Sequence, residues 1–159
     1  MRKRSKYRPK PILQNPVGYV LESLTPIAKH DSILVDLKLK NHLAMALLTQ
    51  GKATKTEIDT LISAVNMTEA LWRLGFGVDY RQEVDAGLAA LLTVARRGAD
   101  TNRFILRAEE MKALNTIMEL HDAQLEICTV KDIEKGVEII KRERQNKKMH
   151  TIKEKKDVL

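Results

Sequence analysis

The chain has 159 residues, 43% of them hydrophobic and few aromatic, a composition that fits one globular domain able to bury roughly 70% of its unfolded surface. Its single cysteine, Cys128, excludes an internal disulfide, and no apolar run follows the basic N-terminus as in a secretory signal or lasts long enough to cross a bilayer, so a soluble cytoplasmic protein is expected. The net charge of +7 is uneven: the first ten residues carry six bases and no acid, residues 141–159 carry eight bases and three acids, and residues 11–140 carry 18 acids against 14 bases. Basic ends on a mildly acidic body point to an anionic partner.

The first segment, residues 1–14, reads as a basic extended arm, because Pro9 and Pro11 push their predecessors towards extended backbone. It is either a solvated tail or an arm along a phosphate backbone. In the second case Arg2, Lys3, Arg4, Lys6, Arg8 and Lys10 meet phosphates and Tyr7 stacks on a base. A helical bundle is expected over 15–141. Asn15 and Pro16 open a short helix that would bury Val17, Val20, Leu21 and Leu24. A second helix runs from Ile33 to Gln50 and stops at Gly51, with a stripe through Leu34, Leu37, Asn41, Ala44, Met45 and Leu48. Leu39, Leu43 and Leu47 draw another apolar line, which predicts contacts on two sides.

Thr54 and Glu57 have capping-box spacing, which starts a third helix that buries Ile58, Leu61, Ile62, Val65 and Trp72 and ends in Gly75-Phe76-Gly77. The fourth, Tyr80 to Arg97, packs through Val84, Leu88, Leu91, Leu92 and Ala95, and Gly98 is read as its end. Ala86, Gly87, Ala89 and Ala90 give it a small-residue face, on which a homodimer is conceivable. The helix from Ala108 to Cys128 carries Met111, Leu114, Met118, His121, Leu125 and Cys128 on one face. Ile117, Leu120 and Ile127 widen that stripe, so this helix is expected in the middle of the bundle. Thr129 caps a last helix with Val130, Ile133, Val137 and Ile140 at helical spacing; residues 142–159 read as a basic tail or a helix extension. The predicted fold is all-α: a bundle of five or six helices with a basic extended N-terminal arm and a basic C-terminal tail.

The pair His121-Asp122 resembles the ligand dipeptide of HD-type metal-dependent phosphohydrolases. Such sites also need an upstream His, for which only His30 and His42 offer themselves, and a downstream Asp, of which Asp132 is the nearest, in no supporting context. Adjacent helical residues point about 100° apart, so a packed histidine is the preferred reading. Asn41, Asn66, Glu69 and His121 are expected to form a buried polar network that fixes helix register, since unsatisfied polar groups cost about 1–3 kcal/mol each. No metal, cofactor or catalytic residue is assigned.

Arg96, Arg97, Arg103 and Arg107 gather around a loop opposed only by Asp100 and could contact an anion. For Arg96 and Arg97 a helix C-terminus alone would account for the charge. Lys141, Arg142, Arg144, Lys147 and Lys148 make up the C-terminal basic group.

Residues 3–11 (KRSKYRPKP), 66–75 (NMTEALWRLG) and 119–126 (ELHDAQLE) resemble small proteins encoded in bacterial prophages and related mobile elements. No activity is attached to that group, so the resemblance implies a genomic setting and no mechanism. The function expected first is a non-enzymatic accessory protein binding nucleic acid or a nucleoprotein through phosphates. A protein-binding modulator of a host or phage enzyme is the alternative, and no membrane partner is expected.

Overall fold

A computed structural model describes residues 23–27 and 31–146. Within them the chain forms five helices: α1 (Asp31–Thr49), α2 (Lys55–Arg73), α3 (Arg81–Ala99), α4 (Ala108–Ile127) and α5 (Val130–Gln145), with a 3-10 turn at Val78–Tyr80 before α3. The predicted all-α bundle is therefore correct. None of the described helices is long and apolar enough to cross a membrane. The helix expected from Pro16 and the arm over 1–14 fall outside the described residues, apart from Ser23 and Leu24 at the helix's end.

The helix starts follow the local signals. Thr54 stands extended before α2; its N–H donates to Glu57 Oε2 at 2.7 Å, while its Oγ1 accepts from the Thr56 N–H at 3.3 Å. Thr129 and Asp132 do the same for α5, at 2.9 and 3.2 Å. Each box satisfies amides that the first helical turn leaves without a partner. Gly51, Gly75 and Gly77 take positive φ where the chain turns.

The centre of the bundle is α2, not the helix over 108–127. It packs against each of the other four helices, and burial runs well around it, through Ile58, Leu61, Ala64, Val65, Asn66, Thr68, Ala70 and Leu71. Small residues make that possible: Ala64, Thr68 and Ala70 let neighbours approach on more than one side. On α4, Lys112, Asn115, Glu119 and Ala123 keep one side in solvent along most of the helix, whereas the exposed side of α2, at Thr56, Asp59 and Ser63, lies in its first half.

The main core joins α1 to α4 through Leu48, Ile58, Leu61, Val84, Leu91, Val94, Leu114 and Ile117. A second cluster, Ile27, Leu71, Leu125 and Cys128, seals the end where α5 begins. There the Ile27 N–H donates to Cys128 O at 3.1 Å and the Val130 N–H to Thr25 O at 3.2 Å, which pins residues 25–27 to the α4–α5 corner.

Several packing expectations are corrected. Leu24, Leu37 and Ile127, expected in buried stripes, are exposed. Leu39 and Leu43 are 63% and 57% exposed, so the second apolar line of α1 is uncovered and only Leu47 packs on the core. Trp72 is half-buried: its indole N–H donates to Val78 O at 3.1 Å and the Arg81 guanidinium lies 4.5 Å over its ring. Gly98 lies inside α3, which runs to Ala99, because Phe104 folds back on it: a Cβ there would stand 2.2 Å from Phe104 Cδ1. The extension of the last helix to Gln145 carries it past the expected boundary at 141.

Candidate functional site

The arginines around the α3–α4 loop separate into two kinds. Arg97 is half-buried and grips Glu110 with both nitrogens, Nη1 to Oε1 at 2.8 Å and Nη2 to Oε2 at 2.7 Å, while Nη2 also donates to Ile105 O at 2.6 Å. The hydrogen bond from Arg97 holds the Glu110 carboxyl below its ordinary range, and Glu110 also accepts the Arg107 N–H at 2.9 Å. Arg97 thus locks the loop, with its charge neutralised. Arg96, Arg103 and Arg107 have exposed side chains. Phe104, 2% exposed, anchors the loop that carries Arg103 and Arg107.

At the C-terminal group, Lys141, Arg142 and Arg144 are exposed on the last turns of α5. Glu143 between them is turned inward and accepts from Arg73 Nη1 at 3.3 Å, while Arg73 Nη2 donates to Glu69 at 2.9 Å. These contacts raise the Arg73 pKa, the Glu69 bond most of all. They also place the end of α5 at the C-terminal end of α2. From there α3 runs back along the bundle, and Arg96 stands fifteen residues, about 23 Å, beyond its first residue. The two exposed basic groups stand towards opposite ends of the bundle and do not merge. Arg2, Lys3, Arg4, Lys6, Tyr7, Arg8, Lys10, Lys147 and Lys148 lie outside the described residues.

Of the four polar positions expected inside, Asn41 is buried on α1, while Asn66, Glu69 and His121 do not converge on one another. Glu69 belongs to the Arg73–Glu143 surface link. Asn66 and Thr68 are two residues apart on α2, so they face nearly opposite ways. Asn66 looks towards Leu88 and Leu91 of α3, lining a small pocket there. Thr68 meets His121 of α4, with Oγ1 3.0 Å from Nδ1. The Thr68 hydroxyl also donates to Ala64 O at 3.0 Å. With its one proton placed there, His121 Nδ1 is the donor in the other bond. Burial holds the His121 pKa down to about 4, so the ring is neutral.

Asp122 turns the other way, as the 100° step requires, and its Oδ2 lies 2.6 Å from His42 Nε2 on α1. Lys38 and Glu126 meet at 2.7 Å one turn along the same seam. His121 and Asp122 therefore serve two different helix contacts. No group of three His, Cys, Asp or Glu residues stands together as metal ligands among the described residues. The Cys128 thiol is pushed up to about 11 by burial, far from the pKa of a nucleophile at neutral pH.

Gln124 and Thr68 carry more than the sequence disclosed. Gln124 Nε2 donates to Thr68 O at 3.2 Å and to Phe76 O at 3.0 Å, tying α4 to the turn after α2. Its spacing from Ile117 and His121, seven and three residues, was the available signal. Asn41 Nδ2, Asn66 Oδ1, Asp122 Oδ1 and Gln124 Oε1 are buried with no hydrogen-bond partner among the described residues. Comparison with models of known protein families, with curated protein sequences and with solved structures finds no match for this chain.

Proposed function

We propose that the protein is a non-enzymatic accessory protein of the phage type, binding nucleic acid or a nucleoprotein through its basic ends without sequence preference. The observation that carries this reading is the charge division along the chain: six bases and no acid in residues 1–10, and an excess of acid over 11–140. Exposed Arg96, Arg103 and Arg107 at one end of the bundle, and Arg142 and Arg144 at the other, would add phosphate contacts. Arg97 is left out of the binding set because Glu110 neutralises it.

The test is a salt titration of binding to a fluorescent DNA and an RNA duplex by the full chain. A variant lacking 1–10 and 147–159, with Lys141, Arg142 and Arg144 changed to Gln, keeps α5 intact for comparison. Six phosphate contacts give a slope of log K against log salt of about −5 on DNA, and the variant flattens it. Binding that ignores both salt and the deletions would sink the proposal.

A second reading, modulation of a host or phage enzyme by a helical surface, is favoured by the exposed Leu39 and Leu43 on α1. It expects a stable, nuclease-resistant complex with one protein, unaffected by loss of the tails.

A further inference from the structure

We propose that the outer face of α1 receives a second copy of this chain, packed antiparallel as a reversible dimer. Five of the ten large hydrophobic side chains exposed among the described residues lie on this one helix. Val35, Leu39 and Leu43 are 59%, 63% and 57% exposed and follow one another every four residues. Ala46, also exposed, prolongs the line. They form a ridge on the side away from the buried Asn41, Met45 and Leu48. Single exposed leucines are ordinary on a soluble protein; a continuous ridge of this kind marks a contact surface.

The charges beside the ridge say what fits it. On one flank, Lys38 and His42 are engaged within the chain by Glu126 and Asp122. On the other flank stand Asp36 and Lys40, exposed and four residues apart. A two-fold axis relating antiparallel helices brings like flanks together. Asp36 of each copy then faces Lys40 of the other, Leu39 packs on Leu39, and Val35 packs on Leu43. A parallel pair would instead set Asp36 and Lys40 against the flank of Lys38 and His42, which Glu126 and Asp122 already engage, so Asp36 and Lys40 would not pair across the axis. The face is thus complementary to itself in one orientation. The small-residue face of α3 is less suited, because Gly87 and Ala90 are already buried within the chain. One helix pair buries less than the roughly 800 Å² per partner of a standard interface, so the dimer depends on concentration.

Sedimentation velocity on the full, nuclease-treated chain over a concentration series tests this. It is read without nucleic acid, so it stands apart from the fate of the tails. Dimer should appear as concentration rises. Leu39→Glu should weaken association about tenfold or more with the far-UV circular dichroism unchanged. Asp36→Lys should also weaken it, and Asp36→Lys with Lys40→Asp should restore it, since that exchange re-forms the pairs across the axis. The exchange also decides the matter if Leu39→Glu unfolds, because Asp36 and Lys40 are outside the core. Three results overturn the proposal. The first is a chain that stays monomeric at every concentration, whether or not it captures a different protein. The second is a dimer that ignores both the ridge and the charge variants. The third is a charge exchange that leaves association as weak as Asp36→Lys alone, with the Leu39→Glu chain unfolded because its own residues cover the ridge.

Discussion

Ile117 occupies the space that Gly87 leaves free. A Cβ at position 87 would stand 2.6 Å from Ile117 Cδ1 and 2.7 Å from its Cβ and Cγ2, so α3 and α4 touch at this point through the absence of a side chain. Rotating Ile117 does not relieve the clash, because its Cβ is itself involved. Gly87→Ala should therefore destabilise the fold by about 1–3 kcal/mol, although alanine is the better helix former by about 1 kcal/mol. Urea denaturation checks this. Ile117→Ala removes the contacts at Cδ1 and Cγ2 and leaves the one at Cβ, so the two changes should be partly non-additive, with the double variant more stable than the sum of the two losses. Additive losses would mean the two residues do not share the space.

The neutral His121 predicts a loss of stability in mild acid. Its pKa is about 4 in the fold, below the ordinary 6.5. Between those values the unfolded chain takes up a proton that the folded chain does not. The stabilisation is complete above about pH 6.5 and declines as pH falls towards 4, on the order of 3 kcal/mol in all. The urea midpoint should fall between about pH 7 and pH 5, and His121→Gln should reduce that dependence. An unchanged slope in the variant would show that another group governs it.

The cap at Thr54 should show as a local defect. Thr54→Ala removes the acceptor for the Thr56 N–H and one of the bonds to Glu57, and should cost about 1 kcal/mol. Glu57→Gln should cost less at neutral pH. The Thr54 bonds hold the Glu57 carboxyl below its ordinary value, so its contribution is present above the unfolded pKa and lost as pH falls through the folded one. Hydrogen exchange over residues 55–58 should quicken in Thr54→Ala before exchange elsewhere does.

Arg97 and Arg96 are neighbours with different expected effects. Arg97→Ala leaves the largely buried Glu110 carboxylate without its forked partner and frees the loop through Ile105. It should lower stability by about 1–3 kcal/mol and hardly alter the salt slope of the nucleic-acid binding proposed above. Arg96→Ala and Arg103→Ala should leave stability within about 0.5 kcal/mol and reduce that slope by about 1 each. The reverse pattern would assign Arg97 to the surface and contradict the ion pair.

The helices over 55–73 and 130–145 announced themselves in the sequence because their signals are local. Thr54 reaches Glu57, and Thr129 reaches Asp132, within one turn, and such contacts need no knowledge of the rest of the chain. The divergence of His121 and Asp122 was legible for the same reason: 100° per residue is a property of the helix alone. Which helix lies at the centre was not legible. The stripes on 108–128 and on 55–73 looked alike, and only the fit of Ala64, Thr68 and Ala70 against several neighbours at once put the latter inside. Nor could Arg97 be told from Arg96 until Glu110, thirteen residues away, was brought beside it. Leu39 and Leu43 read as core and stand in solvent, because an apolar line states only that a side chain would gain from burial. Whether a surface arrives to bury it depends on how every other stripe has been packed, and that is settled by the assembled bundle.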